Sequence, residues 1–425
     1  MVRRSLFAWL VILVLVATGC GGGGGGGEAG GGGEAGGGKA VLAYGLWNKD
    51  QAPVMEQLAV EFEKTHPNID VQVQVTPFND YWTKLQTAIS GGGGADVFWL
   101  NAPNMALYAG NDAVLSLSDR VEKDKLDLSV YPQSLRDLYT YENKLYALPK
   151  DLDTIGLWYN KELFDRAGVK YPTADWTWND LRAAAKRLTD KQKGVYGITA
   201  ALTNQEGYYN TIAQAGGYVV SPDGNTSGYD EPATIEGLKF WTDLIKDGVS
   251  PTHEQMTDTE PKQLFQSGKV AMFYGGSWQA VSFKAADNFA DKVDVAPLPA
   301  GVKKTVIIHG LGNAINAKTK HQDEAWEWVK FLGSQQAAQM SAESGIVIPA
   351  YNGTQDAWVK AFPNYDVQIF MDAIPSATPF PVGRNEAEWQ ALEQKKLPEA
   401  WTGAKPLDAV ARDLATAMDE ILAKQ

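Results

Sequence analysis

The chain has 425 residues, with 38 Lys and Arg against 51 Asp and Glu, and its formal charge of −13 makes nucleic acid and anionic lipid poor partners for the body. Cysteine occurs once, which excludes an internal disulfide framework and leaves the fold to be held by its core. Arg3 and Arg4 precede an apolar run over residues 6–16, followed by Ala17, Thr18, Gly19 and the lone Cys20, which is the layout of an export signal with a small-residue processing site. The run is too short to span a bilayer. Loss of the two arginines with the signal takes the charge from −13 to −15.

The segment around Cys20 resembles the bacterial lipoprotein signal, departing from it at Ala17, where Leu is usual. That resemblance implies a lipid on Cys20 and an anchor at the outer face of the cytoplasmic membrane. Residues 21–38 contain only Gly, Glu and Ala, with the sequence GEAGGG occurring twice. Such a segment cannot bury apolar surface, and as a flexible coil it spans roughly 25 Å, enough for a leash.

The remaining 387 residues are long enough for two or three domains or one two-lobed unit. Residues 39–44 read as a strand, 53–65 as a helix with Val54, Leu58 and Phe62 on one face, and Ile69–Val75 as an alternating strand. A helix over 81–89, a glycine break at 91–94 and an apolar strand at 96–100 complete a βαβαβ pattern. It predicts an open parallel sheet with ligands beyond the carboxyl ends of the strands. Trp47, Asn48, Phe78, Asn101 and Asn104 fall at those ends.

A second set of elements starts after Asp153. Thr177 and Asp180 form a capping box, 195–200 reads as a strand, 231–247 as a helix closed by Gly248, 269–274 and 305–308 as strands, and 322–425 as largely helical. No linker marks a break, so the chain is expected to cross between lobes more than once. The expected limits are a signal at 1–19, an anchored linker at 20–38, a first lobe at 39–152, a second at 153–299, a return to the first at 300–350, and second-lobe and terminal helices at 351–425.

Four stretches, in order, carry a resemblance: DVFWLNAPN at 96–104, LPKDLDTIGLWYNK at 148–161, TWNDL at 177–181 and GKVAMFYGGSW at 268–278. Together they are similar to the family 1 extracellular solute-binding proteins, the sugar-binding partners of ABC importers, over essentially the whole chain after the linker. The resemblance implies a two-lobed, periplasmic-binding-protein-like α/β fold of type II. It also implies a hinge, closure around a saccharide, delivery to a transmembrane permease, and no catalysis or cofactor. A monomer is expected.

The aromatic content of 11%, with 14 Trp, fits such a ligand, because a pyranose has an apolar C–H face that stacks on an indole; most of the Trp are nonetheless expected in the core. The loop after the 269–274 strand brings Gly276, whose backbone can meet a hydroxyl, and Trp278, which either stacks on a ring or packs inside. Family resemblance favours at least one of Asp151 and Asp153 as a charge-assisted acceptor; otherwise they are an exposed pair of hinge charges. Asn101 and Asn104 donate and accept at once, or serve only the turn. Tyr208 and Tyr209 are adjacent on a helix, so at most one faces a cleft. His309 ends a strand, and Arg384, a planar fork of donors in a proline-flanked loop, belongs near the rim.

Other chemistries lack their residues. The four His have no metal-ligand spacing, the glycine runs lack a phosphate loop's Lys and Ser/Thr, and residues 310–315 break a dinucleotide fingerprint. A Gly-x-Ser-x-Gly elbow is absent. Paired carboxylates remain open, so a secreted glycoside hydrolase is the enzyme rival. Two non-enzymatic rivals stand beside it: a surface adhesin, and a binding protein for another polar solute such as glycerol-3-phosphate, whose phosphate the acidic charge disfavours.

Overall fold

The computed structural model describes residues 39–383 and 385–424. Cys20, the linker and Arg384 lie outside the described residues.

The first lobe is built on a five-stranded sheet in the order Ile69–Val75, Ala40–Leu46, Val97–Asn101, Leu311–Ile315, Ala147–Pro149. Ala40–Leu46 pairs in parallel with both of its neighbours, joined through the helices Ala52–Glu63 and Phe78–Ser90. Helix Ala52–Glu63 turns Met55, Leu58, Ala59 and Phe62 inward, the spacing of one helical face. The sheet is mixed, which corrects the expectation of a parallel one: Leu311–Ile315 enters from far along the chain and runs antiparallel to both Val97–Asn101 and Ala147–Pro149. Gly312 permits this. A Cβ there would stand 2.8 Å from the Ala147 Cβ and 3.0 Å from the Tyr139 ring, so only a bare backbone fits between the strands.

A buried polar chain ties these strands: Trp99 Nε1 donates to Tyr44 Oη at 2.7 Å, and Tyr44 Oη donates to Asn313 Oδ1 at 2.7 Å. Each polar atom brought inside is thereby partnered, which removes most of its desolvation cost.

The second lobe carries a four-stranded sheet in the order Val293–Ala296, Ile155–Asn160, Val270–Gly276, Tyr196–Ile198. Every residue of Ile155–Asn160 and of Val270–Gly276 is buried, because helices cover both faces of this sheet. The capping box at Thr177 opens helix Trp178–Leu188, with Thr177 N–H donating to Asp180 Oδ2 at 2.8 Å. Among the described residues seven Trp are fully buried: Trp99, Trp158, Trp241, Trp328, Trp358, Trp389 and Trp401. They are core material of both lobes and leave few indoles free to meet a ligand.

Three segments run side by side where the sheets meet. Asp151–Leu152 pairs antiparallel with Ile348–Pro349, and Asp153 bridges His309 through reciprocal backbone hydrogen bonds of 2.8 and 3.1 Å. Multiple parallel tracks of this kind let two lobes rotate as bodies while the connection stays in register.

Candidate functional site: a cleft walled by both lobes

The cleft has a volume of about 460 Å³. Trp47, Asn48, Gln51, Phe78 and Asn101 line it from the first lobe. Gln205, Glu206, Lys262, Trp278 and Gln279 line it from the second. The crossing segments supply Asp151, Asp153, His309 and an apolar patch of Leu311, Val347 and Ile348.

Trp47 follows directly on strand Ala40–Leu46, so it stands at that strand's carboxyl end. Four aromatic rings hold it: Tyr81 at 5.0 Å, Trp99 at 5.2 Å, Phe78 at 5.6 Å and Trp82 at 5.6 Å, three of them edge to face. Phe78 is half exposed beside it. The pair forms a rigid apolar platform. Asn48 Oδ1 caps the Asp50 N–H at 2.9 Å, and Asn101 Oδ1 accepts from Asn104 Nδ2 at 2.8 Å. Asn104 therefore sits behind Asn101 and orients it without lining the cleft.

Trp278 answers from the other side, just after strand Val270–Gly276 and at the start of helix Gln279–Lys284. Its indole folds back over Gly276. An ideal Cβ on Gly276 would lie only 1.9 to 2.3 Å from three ring carbons of Trp278. Gly276 does not line the cleft, which corrects the expected backbone contact with a ligand; its missing side chain makes room for the indole instead.

The two aspartates differ. Asp151 is buried, ion-paired with Lys150 and accepting the Leu311 N–H at 2.7 Å. Lys150 also donates to Gln51 Oε1 at 3.1 Å and lies 4.2 Å above the Trp99 ring. Asp153 accepts from Gln205 Nε2 at 2.6 Å, and its other oxygen is 3.8 Å from His309 Nδ1. Burial pushes the Asp153 carboxyl up from its ordinary value, and His309 and Gln205 pull it partly back. His309 Nε2 accepts the Ala102 N–H at 3.4 Å, which leaves Nδ1 facing Asp153.

Tyr208 does not reach the cleft. Both Tyr208 and Tyr209 are fully buried and donate, with Tyr229, to the Glu393 carboxyl group at the centre of the second lobe. The stretch was legible as important but its register was not: a π-helical turn, Asn204–Tyr208, presents Gln205 and Glu206 to the cleft and sends the tyrosines inward. Glu206 lies 3.4 Å from Gln279 Nε2, and burial pushes its carboxyl up to about 7. Gln51, Gln205, Glu206, Lys262 and Gln279 escape sequence reading because no motif or periodicity distinguishes them from surface residues.

The arrangement offers two aromatic platforms on opposing lobes with hydrogen-bonding side chains between them. Proteins of known structure share this fold. An ABC substrate-binding protein from Listeria monocytogenes, solved in complex with cycloalternan, superposes with a TM-score of 0.85 at 28% identity, covering 91% of this chain and 100% of that one. The GacH receptor of Streptomyces glaucescens, studied unliganded and with acarbose, gives 0.80 at 26% identity over 90% of this chain and 98% of its own. The maltotriose-binding protein of Pyrococcus abyssi is 28% identical over 294 residues, 67% of this chain and 60% of the relative. The model for bacterial extracellular solute-binding proteins matches residues 21–339, and the chain belongs to that family.

Proposed function

We propose that this protein captures a neutral saccharide by closing its two lobes and delivers it to an ABC importer permease, without changing it chemically. One observation carries the reading: Trp47 and Trp278 belong to different lobes and line one cleft of about 460 Å³. A ligand favours closure only if it touches both lobes, and indoles on both sides give a sugar ring that reason. Both aspartates of the crossing segments are met inside the site, Asp151 by Lys150 and Asp153 by Gln205 and His309, which suits an uncharged polyol. Hydrolysis would need two free carboxylates, and these partners leave Glu206 without a ready companion. A lipid on Cys20 with the glycine-rich leash of residues 21–38 would hold the body at the outer face of the membrane, beside its permease.

The test is a thermal-shift screen of maltose, maltotriose, N,N′-diacetylchitobiose and mannitol, with chromatography of each mixture. A true ligand at about 100 times its Kd adds roughly 2.7 kcal/mol of stability. Absence of any shift across the set refutes saccharide capture, and appearance of shorter sugars refutes the non-catalytic reading.

A further inference from the structure

Beside the cleft the second lobe holds a chamber of about 210 Å³. Glu206, Lys262 and Gln279 line both spaces and stand at their junction. The chamber's inner walls are Thr199, Thr203, Trp241, Phe273 and Tyr274. It is larger than a single water needs, a water's share of liquid volume being about 30 Å³.

Two polar atoms in these walls are buried without a hydrogen-bond partner among the described residues: Tyr274 Oη and Gln279 Oε1. Tyr274 is 4% exposed and Gln279 6%. A buried donor or acceptor left unmet costs about 1 to 3 kcal/mol, so two in one chamber call for an incoming group that both accepts and donates. A sugar hydroxyl does both: it accepts from the tyrosine and donates to the amide oxygen. The neighbouring wall holds the rings in place, with Trp241 edge-on to Tyr274 at 4.9 Å and its own Nε1 spent on Thr211 Oγ1 at 2.9 Å.

We infer that this chamber is a second subsite, seating a hydroxyl-bearing group of the saccharide that projects from the ring held between Trp47 and Trp278. The inference rests on the proposed capture of a saccharide and adds where the ligand's polar discrimination is made. Charged substituents are disfavoured there, because burial at the entrance already works against the charged forms of both Glu206 and Lys262.

The experiment is isothermal titration of maltose, maltotriose and N,N′-diacetylchitobiose into the wild type, Tyr274→Phe and Ala201→Met. Tyr274→Phe keeps the ring and removes only the unpartnered hydroxyl, so its melting temperature stays at or above the wild-type value while affinity falls about 3- to 10-fold. Ala201→Met fills the chamber from another wall and lowers affinity further. Wild-type binding with unchanged affinity in Tyr274→Phe overturns the subsite while leaving saccharide capture standing. Failure of all three sugars to bind the wild type overturns both. A fall in melting temperature for Tyr274→Phe also counts against the subsite, since it assigns the hydroxyl a folding role.

Discussion

Gly276→Ala separates two ways in which a glycine next to a ligand can matter. If the backbone at Gly276 touches the ligand directly, an added methyl blocks that contact whatever residue 278 is. The structure says otherwise: the methyl would sit 1.9 Å from Trp278 Cζ3, 2.2 Å from Cη2 and 2.3 Å from Cε3. Heavy atoms cannot share that space, since carbon contacts are optimal near 3.5 to 4.0 Å. The indole must swing away by more than 1 Å and give up its stacking position. Aromatic stacking together with part of the apolar burial amounts to about 1 to 2 kcal/mol, or about 5- to 30-fold in Kd. Gly276→Ala and Trp278→Ala should therefore each lose that much. In the Trp278→Ala background the glycine substitution should cost less than about 0.5 kcal/mol, because both changes act on one side chain. Calorimetric titration of the four proteins with the tightest sugar from the screen completes the cycle. Additive losses would refute the account and restore direct backbone contact.

Trp47→Ala should weaken binding about as much as Trp278→Ala but also lower stability by about 1 to 3 kcal/mol in urea, because four aromatic rings lose their packing partner. Asp151→Ala strips the partner from Lys150, whose side chain is only 7% exposed, and should cost about 3 to 5 kcal/mol of stability. Burial holds the Glu393 carboxyl up at about 8, so between its ordinary value of 4.5 and 8 the unfolded chain releases a proton that the folded protein keeps. Stability contributed by Glu393 is thus fully present at acidic pH and lost as pH rises through that window, by up to about 1.4 kcal/mol per unit. Glu393→Gln should flatten the slope of urea stability between pH 5 and 7.5; an unchanged slope refutes the assignment.

The pattern of elements was readable in the chain because each is set by local rules. Apolar spacing gave the helix at Ala52–Glu63 and the strand at Ile69–Val75, and the Thr177 and Asp180 pair marked the start of Trp178–Leu188. Trp47, Asn48 and Asn101 come to line the cleft for the same reason, since they stand at the ends of strands that face a sheet's ligand edge. Tyr208 misled because its position relative to the cleft depends on one π-helical turn and on a buried Glu393 some 185 residues away, neither visible locally.

Sequence alone thus determined an exported, negatively charged two-lobed α/β body and the strand ends around which a site must form. Tertiary structure decided that Leu311–Ile315 enters the first sheet antiparallel, that Gly276 serves an indole, and that Gln205, Glu206, Lys262 and Gln279 complete the far wall. The physical reason is range: helix and strand periodicities are fixed within a few residues, whereas a cleft is made by side chains that meet across hundreds of residues of chain.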